Sequence, residues 1–266
     1  MAQSAGQWAL ILGASSGFGA ATARELARAG YHIAGVHLDR RATMPAVEAL
    51  IEDITAAGVE ARFFNINAAD PEKRKTVLTE LSKILTERGE MGRVRVLMHS
   101  LAFGALRPFI GDAVDIITPQ QMDMTFDVMA NSLVYWTQDI VNCELMGEGG
   151  RIFAMTSAGG HRVWPSYGPV SAAKAALESH IRQLALELAP MGINANAIQA
   201  GVTDTPALRK IPGHQRMVRQ GQQLNPHGRL TTPEDVAKAI KVFSLPETAW
   251  MTGNVIRVDG GEDIAG

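Results

Sequence analysis

Seven short apolar runs recur along the chain: Trp8–Gly13, His32–Leu38, Ala61–Ile66, Val94–Ser100, Arg151–Ser157, Ile193–Gln199 and Asn254–Gly260. Between them lie stretches of helical periodicity, such as AATARELARAG (20–30) and AAKAALESHIRQLALELAP (172–190). Runs that are apolar at both odd and even positions predict strands covered on both faces. Strands alternating with helices of ten or more residues require crossover connections, and these produce a parallel, doubly wound sheet. The pattern predicts an α/β fold with helices on both faces of the sheet. No repeat, low-complexity tract or compositional break interrupts it, so a single domain over 1–266 is expected.

Composition adds limits to this picture. Of 266 residues, 46% are apolar and 20% charged, enough for a substantial core and unlike a disordered chain. A formal charge of −2 gives no global attraction to nucleic acid or an anionic membrane. Cys143 is the single cysteine, so no internal disulfide can form, which suits a reducing cytosol. In the run IVNCELM it reads as a buried small hydrophobe. No apolar run approaches the ~18 residues of a spanning helix. The N-terminal MAQSAGQW lacks the basic-then-apolar order of a secretory signal. The expectation is a cytoplasmic protein without a membrane span, a nucleic-acid partner or a metal site.

The first run leads into Gly13-Ala14-Ser15-Ser16-Gly17-Phe18-Gly19, and helical periodicity starts at once. Glycines allow a sharp turn and close approach to a pyrophosphate, which then meets the positive end of the helix dipole. The spacing is G-x-x-x-G-x-G rather than the G-x-G-x-x-G of most dinucleotide folds. After a first strand and before a helix, it predicts a Rossmann-like dinucleotide site built on Gly13, Ser15, Ser16, Gly17, Phe18 and Gly19.

The glycine loop, Asn131 in MANSLVYW, the helix bearing Lys174 and the late MTGNVIRVDGG stretch (251–261) together resemble the short-chain dehydrogenases/reductases over nearly the whole chain. The family's N-N-A-G after strand four is replaced by His99-Ser100-Leu101-Ala102, and its Pro-Gly after strand six by Ala200-Gly201. Both departures occur in enoyl reductase branches. His99 itself reads as a residue that packs or caps at a strand end. After the second strand comes His37-Leu38-Asp39-Arg40-Arg41. An acid there accepts bonds from a ribose 2′-hydroxyl, whereas arginines pair with a 2′-phosphate. The usual acid position falls at His37, with Asp39 two residues beyond. Arg40 and Arg41 therefore point to NADP(H), with NAD(H) as the alternative.

Tyr167 and Lys174 stand seven residues apart in SYGPVSAAKAALESHI. A helix beginning near Tyr167 fits Ser166 as a cap and Pro169 in the first turn. Almost two turns then separate the pair, about 10.5 Å along the axis, on one face with Ser171 between them. Ketone reductases of the family carry the tyrosine four residues before the lysine, where this chain has Val170. A phenol one turn nearer the helix start suits the more remote carbonyl oxygen of an enoyl thioester.

The chain accordingly resembles the enoyl-acyl-carrier-protein reductase branch. VTDTPALRKIP (202–212) and NPHGRLTTPEDV (225–236) resemble the third bacterial type, while MHSLAFG (98–104) resembles the first. The resemblance implies reduction of trans-2-enoyl thioesters, carried on acyl-carrier protein or CoA, in fatty acid elongation. It implies that Tyr167 bonds the thioester enolate and that Lys174 holds the nicotinamide ribose. Ser157 stands ten residues before the tyrosine, where the first type has a second tyrosine, and Asn131 supports the active-site helix. Asn67 would border the adenine. Ser100, Ala102, Gly201, Thr203 and Thr205 would border the rest of the cofactor.

From Thr205 to Pro233 there is no acidic residue, yet Arg209, Lys210, Arg216, Arg219 and Arg229 are present. In this family the segment after strand six covers the substrate cleft. A lid at about 203–228 is expected to close over the acyl chain and offer guanidiniums to phosphopantetheine or an acidic carrier. The apolar helix 172–190 suggests a homotetramer, or a dimer. Two other readings remain open, a carbonyl reductase with another proton donor and a nucleotide-binding regulator without turnover.

Overall fold

The computed structural model describes residues 6–112 and 114–265. Its strands are β1 (Trp8–Leu12), β2 (His32–His37), β3 (Ala61–Asn65), β4 (Val94–His99), β5 (Arg151–Ser157), β6 (Asn194–Ala200) and β7 (Val255–Val258). All pair in parallel in the order β3-β2-β1-β4-β5-β6-β7. Each strand coincides with one of the apolar runs, β6 extending one residue past its run to Ala200. Winding reverses between β1 and β4, the place where an open α/β sheet forms a crevice at its carboxyl end.

The helices are α1 (Gly17–Arg28), α2 (Met44–Ala56), α3 (Pro71–Arg88), α4 (Pro119–Phe126), α5 (Ser132–Asn142), α6 (Gly168–Leu188), α7 (His214–Leu224) and α8 (Pro233–Phe243). Because successive strand residues face opposite sides, β1 feeds two cores. Trp8, Leu10 and Leu12 pack with Leu81 of α3, Trp136 of α5 and Leu177 of α6. Ala9 and Ile11 pack with Leu26 of α1, Ile54 of α2 and Ile240 of α8. Each such aliphatic side chain, fully buried, stabilises by about 1.5–3 kcal/mol. Only the outermost strands depart from the expected two-sided burial: β3 and β7 are half exposed, since each has a neighbour on one edge only.

Two local expectations are corrected. Ser166 does not cap α6. It lies in the left-handed region at φ +61°, and Tyr167 is the cap residue, without a side-chain cap bond. A capping side chain needs extended backbone to fold back onto the first amides, and the turn closed by Tyr167 N–H to the Trp164 carbonyl (3.1 Å) removes it. Pro169 does lie in the first turn. Cys143 is exposed rather than buried, because α5 ends at Asn142 and the cysteine follows it in the turn. Among the described residues, no helix is long and apolar enough to cross a membrane, and no cluster could hold a metal ion.

Candidate active site

The glycine loop sits at the carboxyl end of β1, beside the residues that follow β4. Gly13 adopts φ +86° and is pressed against the Ser100 carbonyl, 2.4 Å from where a Cβ would lie. No other residue fits there without displacing that backbone. Ser16 precedes α1 in extended conformation, its side chain makes no cap bond, and the first turn holds no acid. The leading amides of α1 are thus left to an anion. Phe18 packs into the core beneath, and the Thr205 methyl lies over Gly17. Gly19 is buried close against the Gly13 carbonyl. These residues fit a dinucleotide pyrophosphate: Ser15, Ser16 and Gly17 on one side, Thr205 on the other.

At the end of β2, His37 is buried and its Nδ1 lies 3.0 Å from Asp39 Oδ2. Burial raises the Asp39 pKa, but hydrogen bonds from Ser15, Thr43 and His37 outweigh it and hold the carboxyl below its ordinary value. Asn65 fixes the backbone there, accepting Asp39 N–H and donating to the Asp39 carbonyl, both at 3.0 Å. Arg40 and Arg41 are exposed. Asn67 is exposed too, and its side-chain oxygen accepts Ala69 N–H (3.0 Å) in the turn leading to α3.

The carboxyl ends of β5 and β6 frame the reactive groups. Ser157 Oγ accepts Gly159 N–H at 2.9 Å, which leaves its proton for the Tyr167 phenol with which it pairs. Burial raises the Tyr167 pKa and Ser157 partly offsets that, so the phenol is neutral and able to donate. Its ring lies close against Gly159, where a Cβ would stand 2.5 Å from Cε1. Lys174 is 5% exposed and donates from Nζ to the Met155 carbonyl at 2.7 Å. Burial lowers its pKa to about 8, against the opposing pull of Glu178. Glu178 in turn accepts the Thr156 hydroxyl at 2.6 Å.

Asn131 closes a π-helical turn, Asp127–Asn131, between α4 and α5. Such turns often mark functional sites. Its Oδ1 lies 3.2 Å from Nε2 of His180 on α6, so it braces that helix. His99, completely buried at the end of β4, bonds Ser132 through Nε2 at 2.9 Å. Burial and the nearby Lys174 charge push its pKa down to about 3, so it is a neutral packing residue. Ser100 N–H bonds the Leu12 carbonyl (2.8 Å), and Ala102 beyond it is exposed.

Beyond β6, Glu262 accepts Val202 N–H at 3.0 Å and crowds Gly201, where Thr231 and Glu262 leave no room for a side chain. Thr203 donates to the Gly201 carbonyl (3.0 Å), and Thr205 accepts Leu208 N–H (3.2 Å). Both threonines are buried, Thr205 beside Gly17 of the glycine loop. Asn65, Glu178, His180 and Glu262 were not foreseen. Glu178 follows Lys174 by four residues, a spacing that puts two side chains on one helix face and could have revealed it. The others come from distant elements and left no local signal.

A cavity of about 310 Å³ opens at the start of α6, between Pro108 and Phe109 of the loop after β4, Trp164, Gly168 and Ser171. Phe109 covers Gly168. Ser171, between Tyr167 and Lys174 along α6, lines this space, whereas Val170, the position of the ketone reductases' tyrosine, is buried. The basic segment is less free than expected. Arg209 forms a two-pronged pair with Asp204 at 2.8 and 2.9 Å, and Arg229 pairs with Asp235 at 2.6 and 3.1 Å. Both acids lie just outside the acid-free stretch, and the turns around it bring them back. Arg216 instead stands 5.8 Å from the Trp164 ring centre, and Lys210 and Arg219 are exposed.

A seven-stranded parallel sheet with an open helix terminus after β1 is the fold of the short-chain dehydrogenases/reductases, oxidoreductases that bind a nicotinamide dinucleotide. Residues 13–262 match the family described as Enoyl-(Acyl carrier protein) reductase, and the chain belongs to it. It is similar to the enoyl-[acyl-carrier-protein] reductase [NADH] FabI of Aquifex aeolicus, with 31% identity over 71% of this chain and 68% of that one. The crystal structure of the Aquifex aeolicus enzyme covers 99% of this chain and 98% of its own at a TM-score of 0.83. The 1-cyclohexenylcarbonyl-CoA reductase of Streptomyces collinus is 30% identical over 97% of this chain and 87% of its own. A short-chain dehydrogenase of Burkholderia cenocepacia in complex with NADP has a TM-score of 0.83 at 26% identity, covering 98% and 99% of the two chains.

Proposed function

We propose that the protein reduces the double bond of trans-2-enoyl thioesters with NADPH, as an enoyl-acyl-carrier-protein reductase of fatty acid elongation. The observation that carries this reading is the position of Tyr167. It caps α6, rests on Gly159 and pairs with Ser157, while Ser171, one turn nearer Lys174, opens on the apolar cavity. A ketone substrate would find no phenol four residues before Lys174, where the buried Val170 stands. An enoyl thioester would present its carbonyl oxygen farther along, towards Tyr167.

The reduced nicotinamide, when bound, supplies the hydride that the β-carbon takes up. The protein's own work lies at the thioester oxygen. Tyr167, held neutral by burial, donates to that oxygen as negative charge develops, and Ser157 fixes the direction of the phenol. One such preorganised donor contributes about 2.7–4 kcal/mol in comparable oxyanion sites. Lys174 holds the nicotinamide ribose and contributes positive charge below the phenol. Pro108, Phe109 and Trp164 offer apolar surface to the acyl chain.

The coenzyme choice rests on Arg40 and Arg41, which are exposed and available to a 2′-phosphate. The opposing observation is Asp39, ionised and turned towards Ser15, where it could accept a ribose 2′-hydroxyl of NADH. The segment 203–228 acts as a lid, with Lys210 and Arg219 as its free cations towards an acidic carrier. A homotetramer in the cytoplasm completes the reading. The test is oxidation of NADPH by crotonyl-CoA, beside acetoacetyl-CoA, in wild type and Tyr167→Phe. Turnover of the enoyl substrate alone, lost in the variant, supports the reading. Turnover of the ketoacyl substrate, kept in the variant, overturns it.

A further inference from the structure

We propose that Trp164 sets the acyl-chain selectivity of the site and latches the segment after β6 over it, an inference that rests on the enoyl-thioester reading above. Trp164 lies on the loop between β5 and α6, and its side chain has two working faces. On one it forms part of the wall of the 310 Å³ cavity, together with Phe109 and Ser171. On the other it meets the segment that leads into α7 in three ways. Its Nε1–H donates to the Pro212 carbonyl at 3.0 Å. Its ring lies over the backbone of Gly213, 3.6 Å from where a Cβ would be, and Gly213 there takes φ +76° to start α7. The Arg216 guanidinium stands 5.8 Å from the ring centre, within the range of a cation–π contact.

These contacts matter because the anchorage of α7 lies at its other end, where Gly221 packs on Val202 and Asn225 bonds the Asp259 carbonyl at 2.9 Å. Gly221 is its one buried residue, so the helix has almost no apolar anchorage of its own. A segment with few buried contacts opens at low free-energy cost, and its closed position then depends on the groups that pin it. The same indole that pins the segment ends the cavity. Shortening this side chain extends the cavity towards α7, and an acyl chain that presses on the ring presses on the latch.

Two kinds of variant separate the two roles. Trp164→Ala removes wall and latch together, whereas Trp164→Phe keeps an aromatic wall and loses the bond to Pro212. Arg216→Ala loses only the cation over the ring. The measurement is kcat/KM for crotonyl-CoA and for trans-2-dodecenoyl-CoA, with NADPH binding as the check that each variant is folded. Trp164→Ala should raise the dodecenoyl-to-crotonyl ratio by about tenfold or more, the range a few methylenes command in an apolar pocket. Trp164→Phe and Arg216→Ala should keep the wild-type ratio and raise KM for both substrates alike. Trypsin cleavage after Lys210 or Arg219 in the NADPH-bound enzyme should be several-fold faster in Trp164→Phe. An unchanged ratio in Trp164→Ala overturns the selectivity role, and unchanged cleavage in Trp164→Phe overturns the latch. If the wild type reduces no enoyl thioester at all, the functional reading falls with the selectivity role, and the cleavage comparison still decides the latch.

Discussion

Lys174 donates its ammonium to the carbonyl of Met155 at 2.7 Å, in a position where it is 5% exposed. Placing a cation there lowers its pKa to about 8 from 10.5, and Glu178 is the group that opposes the shift. Rate and stability should therefore respond to alkaline pH in opposite senses. A role that needs the charged lysine predicts kcat/KM falling as pH rises through about 8. Between about 8 and 10.5 the unfolded chain holds the extra proton, so the lysine's contribution to stability grows with pH in that window. Glu178→Gln removes the opposing charge and should move the alkaline limb of the rate profile to lower pH. A limb that stays in place in this variant would show that Lys174 is not the titrating group.

The coenzyme preference should respond to Arg40 and Arg41, which are exposed next to the tethered Asp39. Replacing both by Ala is expected to raise KM for NADPH about tenfold or more, the scale of one charge-assisted contact. KM for NADH should barely move. If wild type already prefers NADH, and Asp39→Asn weakens that coenzyme, the 2′-hydroxyl reading replaces the phosphate one.

Gly159→Ala should strike the chemistry without touching the cofactor loop. Its new Cβ would lie 2.5 Å from Cε1 of Tyr167, and the ring has to move. Displacements near 1 Å can cost about a hundredfold in rate. The expected result is a kcat lowered by about ten- to a hundredfold with NADPH affinity unchanged, read by steady-state kinetics beside a fluorescence titration.

Stability offers an independent check at α8. Thr232 accepts Asp235 N–H, and Asp235 returns a bond to Thr232 N–H, a reciprocal cap. Thr232→Ala should lower the unfolding free energy by about 1 kcal/mol, or about 2–4 °C in melting temperature for a domain of this size. Because Arg229 holds Asp235 down at about 2 against an ordinary 3.8, the acid's own contribution is present above pH 3.8. It is lost as pH falls through about 2. A melting curve of Thr232→Ala that matches wild type at neutral pH would contradict the cap's contribution.

Much of the fold was legible because its causes are local. Strand burial on two faces demands apolar residues at consecutive positions, and Trp8–Leu12 meets that demand directly, with Leu10 and Ile11 entering different cores. The glycine loop was readable for the same reason: the turn at Gly13 requires φ +86°, which sequence expresses as glycine. The seven-residue interval from Tyr167 to Lys174 also lies within one helix and its cap, where spacing translates into position.

What the chain by itself could not express were relationships between residues distant in sequence or across a turn. Ser166 looked like a cap because capping is read from residue type, yet the Trp164–Tyr167 turn forces its backbone to φ +61°. Arg209 and Arg229 looked free inside an acid-free stretch, yet Asp204 and Asp235 reach them from either side of it. Asn65 locking Asp39, and His180 meeting Asn131, arise only when the sheet and α6 are assembled. The sequence determined which elements form and which chemical groups they carry, since propensity and periodicity act over a few residues. The tertiary structure decided which of those groups are buried, paired or left available, since burial and charge pairing depend on the path of the whole chain.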